Sequence, residues 1–373
     1  MGYLLSIVIP TKDRYFYLKN LIQLIDGFKS NEIELVIQDN SSNNEDFVKF
    51  LKEQDNKNVK YFYCPDKLSM SQNSDIAILN STGEYVCFIG DDDGVFDNIV
   101  EIVRMMKEKG IEAILPSRSI YNWPDFFDGS YYKLTSTLLL NKGKKKLVPV
   151  NVQKELGKAI KSGFKNLGRM PRVYQAIVIR KKLDDIYSRY GSFFPGGSPD
   201  MANAVALSLE GCNCYYFDYP VVITGQSKSV GGGERTMIGL KSIDEIPFLP
   251  TEQKDYWHKS LPKLWCSDTI WPMSAYCVLI KSGREDLVNQ INWNIAKARF
   301  LFNHWEYKDQ VVYNSIIYYY FILFFIEKVY YYILNRIVYI ISRGSRLSSG
   351  YLFRNVLNIQ MCINCWKREG SRV

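Results

Sequence analysis

Three carboxylates in a row, Asp91, Asp92 and Asp93, follow the apolar run Tyr85-Val-Cys-Phe-Ile89 with only Gly90 between. Adjacent like charges repel, so a buried strand that delivers three of them calls for a neutralising cation. A hard divalent ion, held by one or two of the carboxylates and by the oxygens of a diphosphate, is the partner such a triplet suits. A loop surface or a helix cap is the plainer alternative, but the carboxyl end of a strand is where an open α/β sheet places its ligands. A second polar cluster, Asp39-Asn-Ser-Ser42, closes the run Ile33-Glu-Leu-Val-Ile37 in the same way. A third candidate is Asp200 in Ser198-Pro-Asp-Met-Ala202, where the chain enters a helical pattern. An aspartate there can cap the helix, remove a proton from an attacking hydroxyl, or do both.

The elements that must position these groups alternate along the first third of the chain. Leu4–Ile9 is a β-rich apolar run stopped by Pro10, and Leu18, Leu21, Ile22 and Ile25 then recur at helical spacing, with Asp13 placed to cap that helix. Strands are predicted over 33–37, 59–63, 85–89 and 111–115, with helices over about 45–54, 71–80 and 98–109. The alternation predicts a mostly parallel, layered α/β domain. Beyond Pro116 it loosens. A strand over 173–179, helices over about 182–190 and 200–209, and a strand over 215–223 are predicted, followed by a mobile Gly/Ser-rich loop over 225–233.

The blocks SIVIPTKDR (Ser6–Arg14), ELVIQDNSS (Glu34–Ser42) and NSTGEYVCFIGDDD (Asn80–Asp93) resemble, in order and spacing, the successive motifs of family 2 glycosyltransferases with the GT-A fold. The resemblance covers about 120 residues closely and extends more weakly to Arg235. It implies a GT-A-like α/β fold, a mostly parallel central sheet flanked by helices, with a mainly helical C-terminal extension. It also implies a nucleotide-sugar donor, a Mn²⁺ or Mg²⁺ cofactor and inverting transfer to a glycan hydroxyl. Carried over by position, Pro10, Thr11, Arg14, Asp39, Asp91 and Asp92 line the nucleotide site, with Asp39 on the base edge. Asp93 and Asp91 are the metal ligands, and Lys228 and Arg235 contact the diphosphate. Asp200 is the base, with Glu210 and Asp218 as weaker substitutes. Many members carry a further aspartate where this chain has Gly90, so the roles within Asp91–Asp93 stay open. An aspartate at position 39 can accept from a uracil or thymine ring N–H, which favours UDP or dTDP.

Residues 1–235 are thus read as the transferase domain, with 1–120 the nucleotide-sugar half and 121–235 the acceptor half. Residues 236–310 form a helical region and 311–373 amphipathic C-terminal helices. At 373 residues and 47% hydrophobic content the chain can bury a large core. The excess of 47 Lys and Arg over 39 Asp and Glu is uneven, since Glu155 is the only acid between Lys142 and Lys182. That segment suits a polyanion, a membrane surface or a pyrophosphate-bearing ligand, or is a solvated basic face. Nucleic acid is not expected as a partner. Eight cysteines lack four-ligand zinc spacing, and the only histidines, His258 and His304, are expected to be structural.

Ile316–Ile326 is strongly apolar but short of the ~20 residues that a membrane span needs, and Glu327-Lys328 interrupts it. An amphipathic helix lying at the inner face of a cytoplasmic membrane, and a buried helix pair, are both compatible with the pattern. A basic tail after Arg343 favours the former. A cytoplasmic protein with peripheral membrane contact and a lipid-pyrophosphate-linked acceptor, in surface polysaccharide assembly, fits these features together. A sugar-phosphate nucleotidyltransferase would need a Gly-rich loop where Pro10-Thr-Lys-Asp-Arg14 stands. A degenerate scaffold would have no use for intact Asp39, Asp91, Asp93 and Asp200.

Overall fold

The computed structural model of the chain describes residues 2–54, 56–126, 135–228, 240–246, 249, 251–312, 314–341, 346–347 and 350–370. The first part alternates as expected: β1 (Leu5–Thr11), α1 (Tyr15–Asp26), β2 (Ile33–Asp39), α2 (Glu45–Gln54), β3 (Val59–Tyr63), α3 (Met70–Leu79), β4 (Tyr85–Phe88), a short β5 (Gly94–Val95) and α4 (Ile99–Glu108). Next come β6 (Ala113–Asn122), β7 (Thr137–Asn141), β8 (Lys146–Pro149), α5 (Val152–Lys161), β9 (Ile177–Ile179), α6 (Arg180–Tyr190), α7 (Pro199–Glu210) and β10 (Cys214–Gln226). The last third is α8 (Thr251–Asp255), α9 (Ser267–Lys281), α10 (Glu285–Val288), α11 (Trp293–Asn303), α12 (Ser315–Ile341), β11 (Arg346–Leu347), β12 (Gly350–Arg354) and α13 (Gln360–Gly370).

One sheet runs in the order β11-β12-β7-β6-β9-β4-β1-β2-β3, with β10 pairing β5, β6 and β8 beside it. The strands β4, β1, β2 and β3 are mutually parallel, as βαβ connections require, whereas β9 is antiparallel to both β4 and β6. Strand periodicity divides the apolar side chains between two faces. Leu5, Ile7, Ile9, Ile33, Leu35 and Ile37 pack with α1 and α4, and Val8, Val36, Val86 and Phe88 pack with α7 and α9.

Several expectations are corrected. Asp13 does not cap α1: Arg14 occupies that position, while Asp13 adopts a φ of 55° and accepts from the Ser42 N–H at 2.9 Å. The strand expected over 173–179 is reduced to 177–179, because the Val173 N–H goes to the Asn203 side chain at 2.9 Å and Gln175 adopts a φ of 53°. Strands β6 and β10 are longer than expected, since each continues to the edge of the polar cluster, so Gly225 and Gln226 belong to a strand and not to a loop. The C-terminal segment also returns to the core of the α/β sheet. Strand β12 pairs with β7, and Val356, Ile359, Cys362 and Cys365 are buried with the side chains of α1 and α4.

The helical region holds α7 in place. The Ser198 N–H donates to Ser274 Oγ of α9 at 2.8 Å, and the Gly197 N–H donates to Gln253 Oε1 at 3.0 Å. Helix α9 is fixed in turn to α11 by Asp268, whose carboxylate meets Arg299 Nε at 2.7 Å, Asn303 Nδ2 at 2.7 Å and His304 Nε2 at 3.4 Å. The hydrogen bond to Asp268 raises the His304 pKa from 6.5 to about 10. That contribution to stability is therefore complete below the unfolded value and is lost as pH rises through the folded one. Asp268→Asn strands the buried Arg299 guanidinium and is expected to destabilise the fold by about 3 kcal/mol in urea denaturation. The difference from wild type should narrow between pH 6 and pH 10; an unchanged gap would remove His304 from the cluster's energetics.

Candidate active site

Parallel pairing places Thr11, the last residue of β1, in register with Asp39, the last of β2, and β4 ends beside them. Three strand ends therefore bring the polar blocks of the sequence to one edge. Thr11 Oγ1 donates to Asp91 Oδ2 at 2.8 Å. Arg14, at the start of α1, directs Nε to Asp91 Oδ1 at 2.6 Å and Nη2 to Asp92 Oδ2 at 2.8 Å. Its guanidinium lies 4.7 Å from the centre of the Tyr17 ring. The Ser227 hydroxyl, just past β10, donates to Asp92 Oδ2 at 2.6 Å and accepts from Arg14 at 3.0 Å.

Asp93 has a different shell, made of neutral donors. Its two oxygens take the Gly90 N–H at 2.8 Å, the Gly225 N–H at 2.8 Å and Gln175 Nε2 at 2.9 and 3.0 Å. Thr224 Oγ1 donates to Gln175 Oε1 at 3.1 Å and so orients that amide. The left-handed backbone of Gln175 is uncommon for a residue with a side chain and marks a position the surroundings enforce.

Three buried carboxylates thus face one arginine. Burial, and then the charge of Asp92, push the Asp93 pKa upward, and burial also raises Asp91 despite Arg14. Burial acts to lower the Arg14 pKa, but Asp91 and Asp92 outweigh it and the value is raised. Among the described residues no three His, Cys, Asp or Glu side chains converge in a metal-ligating geometry. The donor set nonetheless has the chemistry that a hard cation prefers, being carboxylate oxygens with surplus negative charge.

Asp39 has no exposed surface. Its Oδ2 accepts from the hydroxyls of Tyr15 and Tyr61, each at 2.6 Å, and its Oδ1 accepts from the Ser41 N–H at 2.8 Å. A base edge would therefore meet the two tyrosines before the carboxylate. Pro10 is partly exposed between Ile9 and Thr11. Lys228 is exposed and follows Ser227 directly, while Arg235 lies outside the described residues.

Asp200 is the second residue of α7, behind Ser198 and Pro199, and is not its cap. No donor among the described residues bonds its carboxylate. Burial raises its pKa to about 6, with the charges of Arg172 and Arg118 opposing the rise. Tyr174 borders the triplet: its hydroxyl accepts from Gln175 Nε2 at 3.3 Å, and burial, then the charges of Asp93 and Asp200, lift its pKa well above the ordinary value. The substitutes for Asp200 lie elsewhere. Glu210 ends α7 about 15 Å away and pairs with Arg189 at 3.0 Å, and Asp218 accepts from the Lys144 N–H at 3.3 Å beside β8.

Gln175, Tyr174, Gly225 and Ser227 are site residues that sequence reasoning missed. None sits in a motif block; only Gly225 and Ser227 carried a signal, as members of a Gly/Ser-rich stretch. A Cβ there would stand 1.8 Å from the Asp92 carbonyl oxygen, which also accepts from Trp123 Nε1 at 2.9 Å.

Residues 6–164 match the family model described as Glycosyl transferase family 2, and the chain carries a domain of that family. Glycosyltransferase GlyG of Streptococcus pneumoniae serotype 4 (strain ATCC BAA-334 / TIGR4) is 27% identical over 135 residues, 35% of this chain and 44% of that protein, so the match spans under half of the relative. S. aureus TarS 1–349 in complex with UDP-GlcNAc is similar at 14% identity and a TM-score of 0.48, over 80% of each chain. The same protein in complex with UDP is similar at 13% identity and a TM-score of 0.44, over 60% of this chain and 61% of that one.

The tight approach of β10 to the triplet generates a test. Gly225→Ala must displace either β10 or Asp92 and is expected to destabilise the protein by at least ~2 kcal/mol, read as a lower urea midpoint. A wild-type midpoint would mean that the triplet is not held by β10.

Proposed function

We propose that the chain is an inverting, metal-dependent glycosyltransferase that moves a sugar from a UDP- or dTDP-linked donor to a glycan hydroxyl. The observation that carries the reading is the cluster at the strand ends, in which three buried carboxylates share one arginine and so carry surplus negative charge; Asp200, whose carboxylate meets no donor among the described residues, opens α7. Mn²⁺ or Mg²⁺ held by Asp93 and Asp91 would supply charge neutralisation for a departing diphosphate. Thr11 and Arg14 orient Asp91 and Asp92 for that task, and Lys228, exposed and directly after Ser227, is the proposed cation for the phosphate oxygens. Tyr15 and Tyr61, fixed by Asp39, form the wall that a pyrimidine would meet.

Asp200 removes the proton of the acceptor hydroxyl as its oxygen bonds to the anomeric carbon. The carbon–oxygen bond to the diphosphate breaks, and the diphosphate leaves with the electron pair. A base must be ionised, so with a pKa near 6 Asp200 is competent at neutral pH and loses activity as pH falls below that value.

The partner proposed for α12 is an anionic membrane surface at the cytoplasmic face. Among the described residues no helix is long and apolar enough to cross a membrane. Yet Tyr319, Ile322, Phe325 and Ile326 are each 55–59% exposed on α12. Lys165 of the basic segment pairs with Glu327 at 2.7 Å and lies 5.1 Å from the centre of the Phe324 ring, which ties the basic segment to α12. A lipid-pyrophosphate-linked glycan acceptor is consistent with that placement.

Thermal denaturation with UDP, dTDP, GDP and CDP, each with and without Mn²⁺, is expected to show stabilisation by a uridine or thymidine diphosphate that grows with the metal. No shift with any nucleotide would overturn the reading. Asp200→Asn should keep that shift and lose turnover by at least ~100-fold; retained turnover would remove Asp200 as the base. For α12, truncation would also remove β12 and α13 from the core, so the informative variant is Ile322→Glu with Phe325→Glu. Its co-sedimentation with anionic vesicles is expected to disappear, and unchanged binding would exclude α12 as the contact.

A further inference from the structure

Among the described residues, Gln175 is the donor to Asp93 that can turn. The other two donors belong to the backbone: the Gly90 N–H meets Oδ2 and the Gly225 N–H meets Oδ1, each at 2.8 Å. Gln175 is 3% exposed, and its Nε2 stands 2.9 Å from one oxygen of Asp93 and 3.0 Å from the other. A lysine or arginine in its place would have neutralised Asp93 outright. An amide satisfies the two oxygens without supplying charge, so the deficit of positive charge stays. The backbone fixes where this happens, since Gln175 holds its left-handed φ of 53° while its N–H donates to the Phe88 carbonyl at the end of β4 at 2.8 Å.

The surroundings of the amide suit either of its orientations. Its Oε1 accepts from the Thr224 hydroxyl at 3.1 Å, and its Nε2 donates to the Tyr174 hydroxyl at 3.3 Å. A hydroxyl can donate or accept, so turning the amide about Cγ–Cδ keeps both contacts with the roles exchanged. The contact with Asp93 alone would become repulsive, oxygen facing oxygen. A cation between them removes that repulsion. In an octahedral shell with metal–oxygen bonds of roughly 2.0–2.1 Å, neighbouring ligand oxygens lie about 2.9 Å apart, which is the separation Gln175 already keeps from Asp93. The carboxylates also leave room for such a ligand, since among the described residues no three His, Cys, Asp or Glu side chains converge in a metal-ligating geometry.

We propose that Gln175 is a ligand of the cation: when Mn²⁺ or Mg²⁺ binds, the amide turns over, Oε1 joins Asp93 on the ion and Nε2 donates to the Thr224 hydroxyl. The inference rests on the metal-dependent transfer proposed above. The same side chain then holds Asp93 in place without the ion and gives way to it without leaving an orphaned polar group.

Mn²⁺ is the probe, titrated calorimetrically into the full chain with UDP in excess. The wild-type chain is expected to bind it, and Gln175→Ala to weaken binding at least ~10-fold. Gln175→Glu separates coordination from hydrogen bonding, because it keeps an oxygen and offers no N–H. It is expected to hold Mn²⁺ at least as tightly as wild type, to melt below wild type without the ion, where the new carboxylate repels Asp93, and to recover with it. Wild-type affinity in Gln175→Ala would overturn the proposal. Loss of affinity in Gln175→Glu would do so too, assigning Gln175 to hydrogen bonding alone. A crystal structure of the wild-type chain with UDP and Mn²⁺ decides independently of how either variant folds: Oε1 on the ion supports the proposal, and Nε2 still on Asp93 sinks it. Should the wild-type chain bind no Mn²⁺, the metal-dependent reading itself falls, a result distinct from any difference between the variants.

Discussion

The structure is organised around a charge imbalance: three carboxylates on consecutive residues are buried against a single arginine. Asp91 and Asp92 share Arg14, and Asp93 is left to neutral donors. Isolated buried charges are costly, so each oxygen must be met by a donor at hydrogen-bond distance. That requirement accounts for features remote in sequence. Strand β10 runs far enough to bring the Gly225 N–H and the Ser227 hydroxyl to the cluster, and Gln175 holds a left-handed backbone so that its amide spans Asp93. What neutral donors leave undone is the compensation of charge, and the raised pKa values of Asp91 and Asp93 record it.

The remaining architecture serves to hold those donors still. Helix α7 carries Asp200, and its entry is clamped by Ser274 of α9 and by Gln253 of α8. Helix α9 is in turn locked to α11 through Asp268. The helical region is therefore part of the same scaffold as the transferase domain. The C-terminal segment closes the other face. Gln360 Nε2 donates to the Asn20 carbonyl of α1 at 2.8 Å, so residues 340 apart in sequence meet beneath the helix that begins with Arg14.

Much of this was legible in the sequence where local pattern and function coincide. Apolar runs closed by polar residues located β1, β2 and β4, and the blocks ending at Arg14, Asp39 and Asp93 converge as their positions implied. Single-residue geometry was less accessible. Asp13 reads as a helix cap but turns away to bind Ser42, because Arg14 is drawn to the triplet. The run 173–179 reads as a strand, yet tertiary hydrogen bonds to Asn203 and Asp93 outweigh its β propensity. Asp39 reads as a free acceptor, but Tyr15 and Tyr61, 24 and 22 residues away, enclose it. Strands β11 and β12 lie in a segment whose aromatic content suggested helices alone.

The same imbalance separates the triplet from Asp200. Around Arg14 the carboxylates are in excess, and on the proposed reading the missing positive charge arrives with the diphosphate as a bound cation. Asp200 lies in different surroundings: burial raises its pKa to about 6, and the charges of Arg172 and Arg118 oppose the rise. A carboxylate held near that value is ionised at neutral pH yet still able to take up a proton, which is what the proposed base must do and what a carboxylate locked into a salt bridge with Arg14 does poorly.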